Sequence, residues 1–154
     1  MTTGVAEPVF LDTNILVYAS IDSSPFYALA RTTIIAYEQA GTPLWISRQV
    51  LREYLATLIR PNVGIPIPEL TATVRRYELR FQVAEESPLV TAQLLALLEE
   101  GHSRQVHDAN IVATMQTIGI THILTNNPDD FAPFGTVITV IPLQSVTMQQ
   151  AGSE

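Results

Sequence analysis

The chain has 154 residues, of which 47% are hydrophobic and 15% are charged. This length and composition are typical of a single folded domain and exclude an intrinsically disordered chain. There is no cysteine, which excludes disulfides and thiol chemistry. The net charge is −7, whereas a stand-alone nucleic-acid-binding domain is usually basic. A nucleic-acid partner therefore requires a cation or a second protein that offsets the acidic residues.

Features that would direct the chain to a membrane are not seen in the sequence. No apolar run approaches the ~18 residues of a membrane span. The first residues, MTTGVAEP, contain no basic segment of the kind that opens a signal peptide. We therefore expect a cytoplasmic protein that does not bind a membrane.

The predicted elements alternate between strands and helices. In chain order they are a strand at 9–11, a short helix from Asn14, a helix at about 26–40, a strand at 43–47, helices at about 47–60, 68–80, 88–100 and 108–118, a strand at 121–125, a turn at 126–131 and a strand at 136–141. Ser47 can cap the helix that follows it, and Pro61 ends that helix. Glycines at 41, 101 and 119 are placed where three other helices should end.

This alternation predicts an α/β fold with a short parallel sheet and helices on its faces. We place the domain at residues 9–142, and we interpret residues 1–8 and 143–154 as tails.

Asp12 is a charged residue inside an otherwise apolar segment, VFLDTNILVYAS at 9–20. It follows the first strand directly, and in parallel α/β sheets ligands bind at the carboxyl edge of the strands. A buried carboxylate is costly unless it is hydrogen-bonded, paired or metal-bound. Capping the next helix is the alternative role, although Thr13 or Asn14 could also fill it.

Asp108 and Glu53 lie on two predicted helices. Asp108 falls in the middle of an apolar stripe formed by Ile111, Val112, Met115 and Ile118, which points its side chain toward the core at the tip of the helix. That position favours an inward-facing ligand, whereas its place at the helix start also allows a cap. Glu53 lies beside Thr57, just outside its helix's apolar arc, so the pattern alone assigns it to solvent.

The segment LTNNPDDF supplies a fourth group of candidates after the strand that ends at Thr125. Asn126, Asn127, Asp129 and Asp130 are explained by a turn around Pro128, or one or two of them reach Asp12. The three histidines lack zinc-ligand spacing, and there is neither a nucleophile elbow nor a Gly-rich phosphate loop.

Together these segments resemble the PIN domain and, within that family, the VapC-type toxin ribonucleases. The matching segments are VFLDTNILVYA, SRQVLREYLATL, VHDANIVATM and HILTNNPDDF, in the family's order and over about residues 9–142. The resemblance implies a three-layer α/β/α sandwich and a cluster of acids that binds Mg²⁺ or Mn²⁺. It also implies metal-assisted hydrolysis of RNA phosphodiester bonds, in which the metal activates the attacking water.

The resemblance also implies a role for individual residues. Asp12, Glu53 and Asp108 match the family's first three acids, and Asn14 and Thr125 match polar residues that orient the first acid. Many members carry Asp at the position of Asn127, whereas others rely on the acid at the position of Asp130, so either residue can complete the site. Arg48, Arg52 and Arg104 flank these acids in sequence and are candidates for contacts with RNA phosphates.

Partners follow from the same resemblance. It implies a homodimer and an antitoxin protein that lies over the acidic groove, and we expect the apolar residues of 26–40 and 65–81 to contribute to those contacts.

Two alternatives stay open. One is a PIN fold that serves as a binding module with a degraded site, which Asn127 would explain. The other is an unrelated acidic-site phosphohydrolase. The haloacid dehalogenase type would require an acid where Asn14 stands, and a receiver domain would require a lysine, which this chain lacks.

Overall fold

The structure is a computed structural model that describes residues 6–143 of the chain. The tails expected at 1–8 and 143–154 therefore lie outside the described residues, except for residues 6–8 and 143.

A five-stranded parallel sheet forms the centre of the molecule, in the order β3-β2-β1-β4-β5. The strands are β1 Val9–Leu11, β2 Leu44–Ser47, β3 Gln82–Ala84, β4 His122–Thr125 and β5 Thr139–Pro142. In the pairing register, Phe10 of β1 is flanked by Trp45 of β2 and by Ile123 of β4. This register places the carboxyl ends of β1 and β4 side by side.

Within residues 6–143, seven helices flank the sheet and complete the predicted α/β/α sandwich. They are α1 Thr13–Tyr18, α2 Tyr27–Gln39, α3 Arg48–Leu58, α4 Ile67–Arg80, α5 Pro88–Glu99, α6 Val106–Thr117 and α7 Pro128–Phe131, with 3₁₀ turns at Pro61–Val63 and Ala132–Phe134. The predicted boundaries at Ser47 and Gly119 are confirmed. The Ser47 hydroxyl accepts the Val50 N–H at 3.1 Å, and Gly119 follows α6 with a left-handed φ of 75°.

The core runs along both faces of the central strands. All three residues of β1 are buried, as are Ile123 and Leu124 of β4, because a central parallel strand is covered by helices on both sides. No helix within residues 6–143 is long and apolar enough to cross a membrane.

Three elements differ from the predicted ones. Strand β3 was not predicted, because it has only three residues and Gln82 is exposed, so it shows neither alternation nor an apolar run. The turn predicted at 126–131 contains the short helix α7, which begins at Pro128. The last strand covers Thr139–Pro142, so it begins three residues after the predicted start at 136.

Candidate active site

Asp12 lies where β1 and β4 end together. Its backbone N–H donates to the Leu124 carbonyl at 3.0 Å, which anchors the residue to the neighbouring strand. Its side chain is only 8% exposed. The carboxylate sits at the carboxyl edge of a parallel sheet, the position that the sequence predicts for a ligand-binding residue.

Three donors compensate the buried Asp12 carboxylate. The Thr13 N–H donates to Oδ1 at 2.8 Å, and Oδ2 accepts from the Thr125 hydroxyl at 2.7 Å and the Asn14 amide at 3.1 Å. Asp12 is also the N-cap residue of α1, so the capping interpretation and the ligand interpretation describe the same side chain. Asn14 and Thr125, which the resemblance matches to orienting residues, both donate to this carboxylate.

Glu53 is held from two sides at the edge of the same site. Its Oε2 accepts the Thr13 hydroxyl at 3.0 Å, and its Oε1 accepts the Gln49 amide at 2.7 Å. The side chain is half-buried rather than directed into solvent, because α3 packs against α1 at this point. The α-helical pattern alone gave the wrong environment for Glu53, whereas the resemblance placed it in the site.

Asp108 occupies the first turn of α6, two residues inside the helix. Gln105 is the N-cap residue of α6 and makes no side-chain capping bond, so the capping alternative for Asp108 is not what the structure shows. Its negative charge near the helix N-terminus still interacts favourably with the helix dipole.

The four candidate carboxylates line one open cleft of about 480 Å³. Its lining residues are Asp12, Thr13, Asn14, Val17, Tyr18, Glu53, Ala56, Thr57, Arg60, Asp108, Asn127 and Asp130. The four acids come from four separate segments: the end of β1, α3, α6 and α7. Asn127 and Asp130 both lie there, so the structure keeps both candidates for the fourth position.

Burial and mutual repulsion perturb two of these acids. Burial raises the pKa of Asp12 to about 6, with smaller increases from the charges of Asp108 and Glu53, while the hydrogen bonds from Thr125 and Thr13 oppose the shift. Burial likewise raises the pKa of Asp108 to about 6, with further increases from Asp130 and Glu53. The cleft therefore concentrates negative charge that the protein's own groups only partly offset.

A divalent cation fits this donor set by its chemistry. Carboxylate oxygens are the ligands that Mg²⁺ and Mn²⁺ prefer, and an ion would relieve the repulsion that raises both pKa values. Within residues 6–143, however, no three acidic or histidine side chains stand close enough together to form a ready metal-binding group. Asp12, Glu53 and Asp108 thus line the same cleft without forming a compact ligand group. Mg²⁺ suits that spacing because it keeps several waters and uses few protein ligands.

Comparison with known proteins places this site in a family. The profile of the PIN domain matches residues 9–135. The chain belongs to the PIN domain family. No curated protein matches the chain.

Solved structures share the fold of this PIN domain. A structure of Mycobacterium tuberculosis VapC20, a sarcin-ricin loop cleaving toxin, has a TM-score of 0.58 at 18% identity, covering 75% of this chain and 86% of that one. VapBC2 from Rickettsia felis bound to a promoter DNA fragment gives 0.62 at 17% identity, covering 87% and 97%. DNA-bound VapBC from Salmonella typhimurium gives 0.63 at 16% identity, covering 89% and 98%.

The three arginine candidates do not line the cleft of this PIN domain. Arg48 pairs with Glu78 at 2.5 Å and with Glu85 at 2.7 Å, and Arg52 pairs with Glu86. Arg104 is exposed in the loop before α6. These ion pairs tie α3 to α4 and to the segment after β3 instead.

Two residues of the site were missed from the sequence. Arg60 lines the cleft, and Gln49 donates to Glu53. Gln49 could have been found from helical spacing, because the residue four before Glu53 lies on the same face of α3. Arg60 lies two residues beyond the end of α3, where helical spacing gives no signal.

A second cavity of this PIN domain, of about 570 Å³, is lined in part by residues 19–23, which follow α1. We call it the arginine cavity. Its charged and aromatic lining residues are Asp22, Tyr27, Arg31, Tyr54, Glu69, Arg76, Tyr77 and Arg80. None of the residues predicted from the sequence for the active site lines it.

Proposed function

We propose that this PIN domain is a Mg²⁺- or Mn²⁺-dependent endoribonuclease of the VapC toxin type. The observation that carries the proposal is the meeting of Asp12, Glu53, Asp108 and Asp130, from four separate segments, in one cleft at the carboxyl edge of the sheet. Family membership supports a nuclease, and the similarity in fold to a toxin described as cleaving the sarcin-ricin loop supports a toxin of this type.

The four acids of the cleft are suited to bind the cation. Asp12, Glu53, Asp108 and Asp130 would bind it directly or through its waters. With pKa values of about 6, Asp12 and Asp108 are largely ionised at neutral pH, and they gain most from a positive ligand. When bound, the metal would supply an activated water and neutralise charge on the reacting phosphate.

The remaining side chains of the cleft orient the acids and the substrate. Thr13 joins Asp12 to Glu53, because its N–H donates to one carboxylate and its hydroxyl to the other. Arg60 is the cationic residue among the described residues of the cleft lining, and its guanidinium can donate to a phosphate in the bidentate manner. We propose Arg60, rather than Arg48 or Arg52, as the phosphate contact, because those two are already paired with glutamates.

The test is RNA cleavage with Mg²⁺ or Mn²⁺ and with chelator. We expect cleavage only with metal, and we expect Asp12→Asn and Glu53→Gln each to remove most of it. Asp22→Asn is a matched control, since Asp22 is an acid of the arginine cavity. Cleavage that persists in chelator, or that survives Asp12→Asn, would contradict the proposal.

A binding module with a degraded site is the second candidate, and Asn127 in the cleft lining is the observation that favours it. A binding module would retain RNA without cutting it at any metal concentration. A phosphohydrolase acting on small substrates would instead cleave a chromogenic phosphomonoester and leave RNA intact. Assays with these two substrates therefore separate the three functions.

The toxin assignment also proposes a homodimer, an antitoxin partner and a cytoplasmic location. Three exposed apolar side chains lie in the expected contact segments: Ile35 in α2, and Ile67 and Leu79 in α4. Leu79 is 89% exposed, and covering it with a partner protein would remove apolar surface from water. A monomeric mass in light scattering at micromolar concentration would contradict the dimer. A small upstream open reading frame with a DNA-binding N-terminus would support the antitoxin.

A further inference from the structure

We infer that Gln49 is a positioning residue that fixes Glu53 against helix α6, an inference that rests on the proposed metal-dependent function. Gln49 is a polar residue with only 5% of its surface exposed, on the buried side of α3. Its amide lies between the helix that carries Glu53 and the helix that carries Asp108.

The amide of Gln49 is used on both sides. Its Nε2 donates to the Glu53 Oε1 at 2.7 Å and to the His107 carbonyl at 2.9 Å. Its Oε1 accepts the Asn110 amide at 2.7 Å. Exchanging the amide nitrogen and oxygen would set an oxygen against a carboxylate and a carbonyl. The network therefore defines a single orientation of the Gln49 side chain.

The hydrogen bonds of Gln49 link Glu53 to the backbone of the segment that carries Asp108. His107, whose carbonyl accepts from Gln49, immediately precedes Asp108 in α6. The opposite oxygen of Glu53 is held by Thr13, the residue after Asp12. Glu53 is therefore held on one side by the residue after Asp12. On the other side it is held by Gln49, which is bonded to the residue before Asp108.

A neutral amide suits this position. Two N–H groups can satisfy a carboxylate and a carbonyl together, whereas a carboxylate at 49 would repel Glu53 and an apolar side chain would leave both acceptors without their donor. Gln49 does not line the cleft, so it would act on a cation only through Glu53. Groups that orient a metal ligand in this way commonly change metal affinity by roughly 10–100-fold when they are replaced.

The experiment measures Mn²⁺ binding to the full chain by calorimetry, together with thermal unfolding in the absence of metal. Gln49→Met keeps the length of the side chain and removes both donors. We expect it to weaken Mn²⁺ binding by roughly 10-fold or more. Gln93→Met is the matched control, because Gln93 also makes an amide contact between helices, donating to Gln116 at 2.7 Å, but away from the cleft. We expect that control to lower the unfolding temperature without changing Mn²⁺ affinity.

A second variant tests the hydrogen-bond network of Gln49 and leaves its contact with Glu53 in place. Asn110→Ala removes only the donor to the Gln49 Oε1, and it should weaken Mn²⁺ binding less than Gln49→Met. In the Gln49→Met background it should add no further loss, since the two residues act through one path. Unchanged Mn²⁺ affinity in Gln49→Met, or equal losses in Gln93→Met, would overturn the inference. A wild-type chain that binds no Mn²⁺ would instead overturn the proposed function.

Discussion

The acidic cleft and the arginine cavity are similar in size, and residues of α3 line both, but they differ in how their charged side chains are paired. In the arginine cavity, Arg80 forms a two-point pair with Glu38 at 2.6 and 2.9 Å. Arg31 donates to the Ala19 carbonyl and lies over the Tyr27 ring at 5.1 Å. Its cations already have partners within the protein. In the cleft, four carboxylates face one guanidinium.

Burial acts on both regions with different consequences. It raises the pKa of Tyr54, on the arginine cavity, to about 12, so that hydroxyl stays neutral and hydrogen-bonds to Ser20 at 2.7 Å. It raises the pKa of Asp12 to about 6, close to physiological pH. A perturbed carboxylate among like charges marks a functional site more clearly than cavity volume does.

The largest expected effect is a loss of RNA cleavage from a substitution in the acidic cleft. Asp12→Asn should lower metal-dependent RNA cleavage by roughly 100-fold or more, because it removes a direct ligand rather than a supporting contact. Tyr54→Phe should cost about 1 kcal/mol of unfolding free energy through its lost hydrogen bond and leave cleavage unchanged. Steady-state cleavage rates and urea unfolding of both variants measure the two effects. Equal loss of cleavage in both variants would remove the distinction between the regions.

The pH dependence of stability should also separate them. The pKa of Asp12 in the folded state, about 6, lies above its ordinary value of 3.8, so protonation of Asp12 favours the folded state. That contribution is full below pH 3.8 and is lost as the pH rises through about 6. Without metal, the unfolding free energy of wild type relative to Asp12→Asn should fall by about 3 kcal/mol across this range. A pH-independent difference would mean that the pKa of Asp12 is not raised in the folded state. Mg²⁺ should restore part of the lost unfolding free energy at neutral pH.

A smaller effect is expected at Arg60. Arg60→Gln should raise KM for RNA by about 10-fold with little change in kcat, because a lost charge-assisted contact to phosphate costs on the order of 1.5 kcal/mol. Arg75→Gln is the control, since Arg75 is exposed and lines neither cavity. The same KM in both variants would exclude Arg60 as a specific contact.

The sequence predicted the frame of the molecule because its signals are local. Alternating apolar segments, the cap at Ser47 and the glycine at 119 depend on neighbours in the chain, and the structure confirms the elements they predicted. Strand β3 exists only because β2 lies beside it, and its three residues carry no periodic signal.

The candidate site divides in the same way. Asp12 could be singled out from the residues alone, because a charge at the end of an apolar strand is a local signal. Glu53 depended on the family resemblance, since its environment is made by α1, whose Thr13 is 40 residues away. Helical spacing places Gln49 on the face of Glu53, but no pattern within α3 reveals its contact with α6. Side chains defined by contacts between distant segments are therefore the ones that the sequence did not predict.

The smallest expected effect concerns the fourth acid, where two neighbouring aspartates differ in position. Both side chains are exposed, but Asp130 lines the cleft and its charge raises the pKa of Asp108, whereas Asp129 does not line the cleft. Asp130→Asn should therefore lower cleavage at limiting Mn²⁺ by about 10-fold, the lower end for a group that positions a metal, with recovery at high Mn²⁺.

Asp129→Asn provides the comparison within the same helix turn, and it should leave cleavage unchanged at every Mn²⁺ concentration. Both aspartates lie in the first turn of α7, so both variants lose a similar favourable interaction with the helix N-terminus and should show similar unfolding temperatures. A difference in cleavage without a difference in stability then isolates the contribution of Asp130 to the cleft. If Asp130→Asn keeps full activity even at limiting Mn²⁺, then three acids suffice and Asn127 occupies the fourth position without binding metal directly.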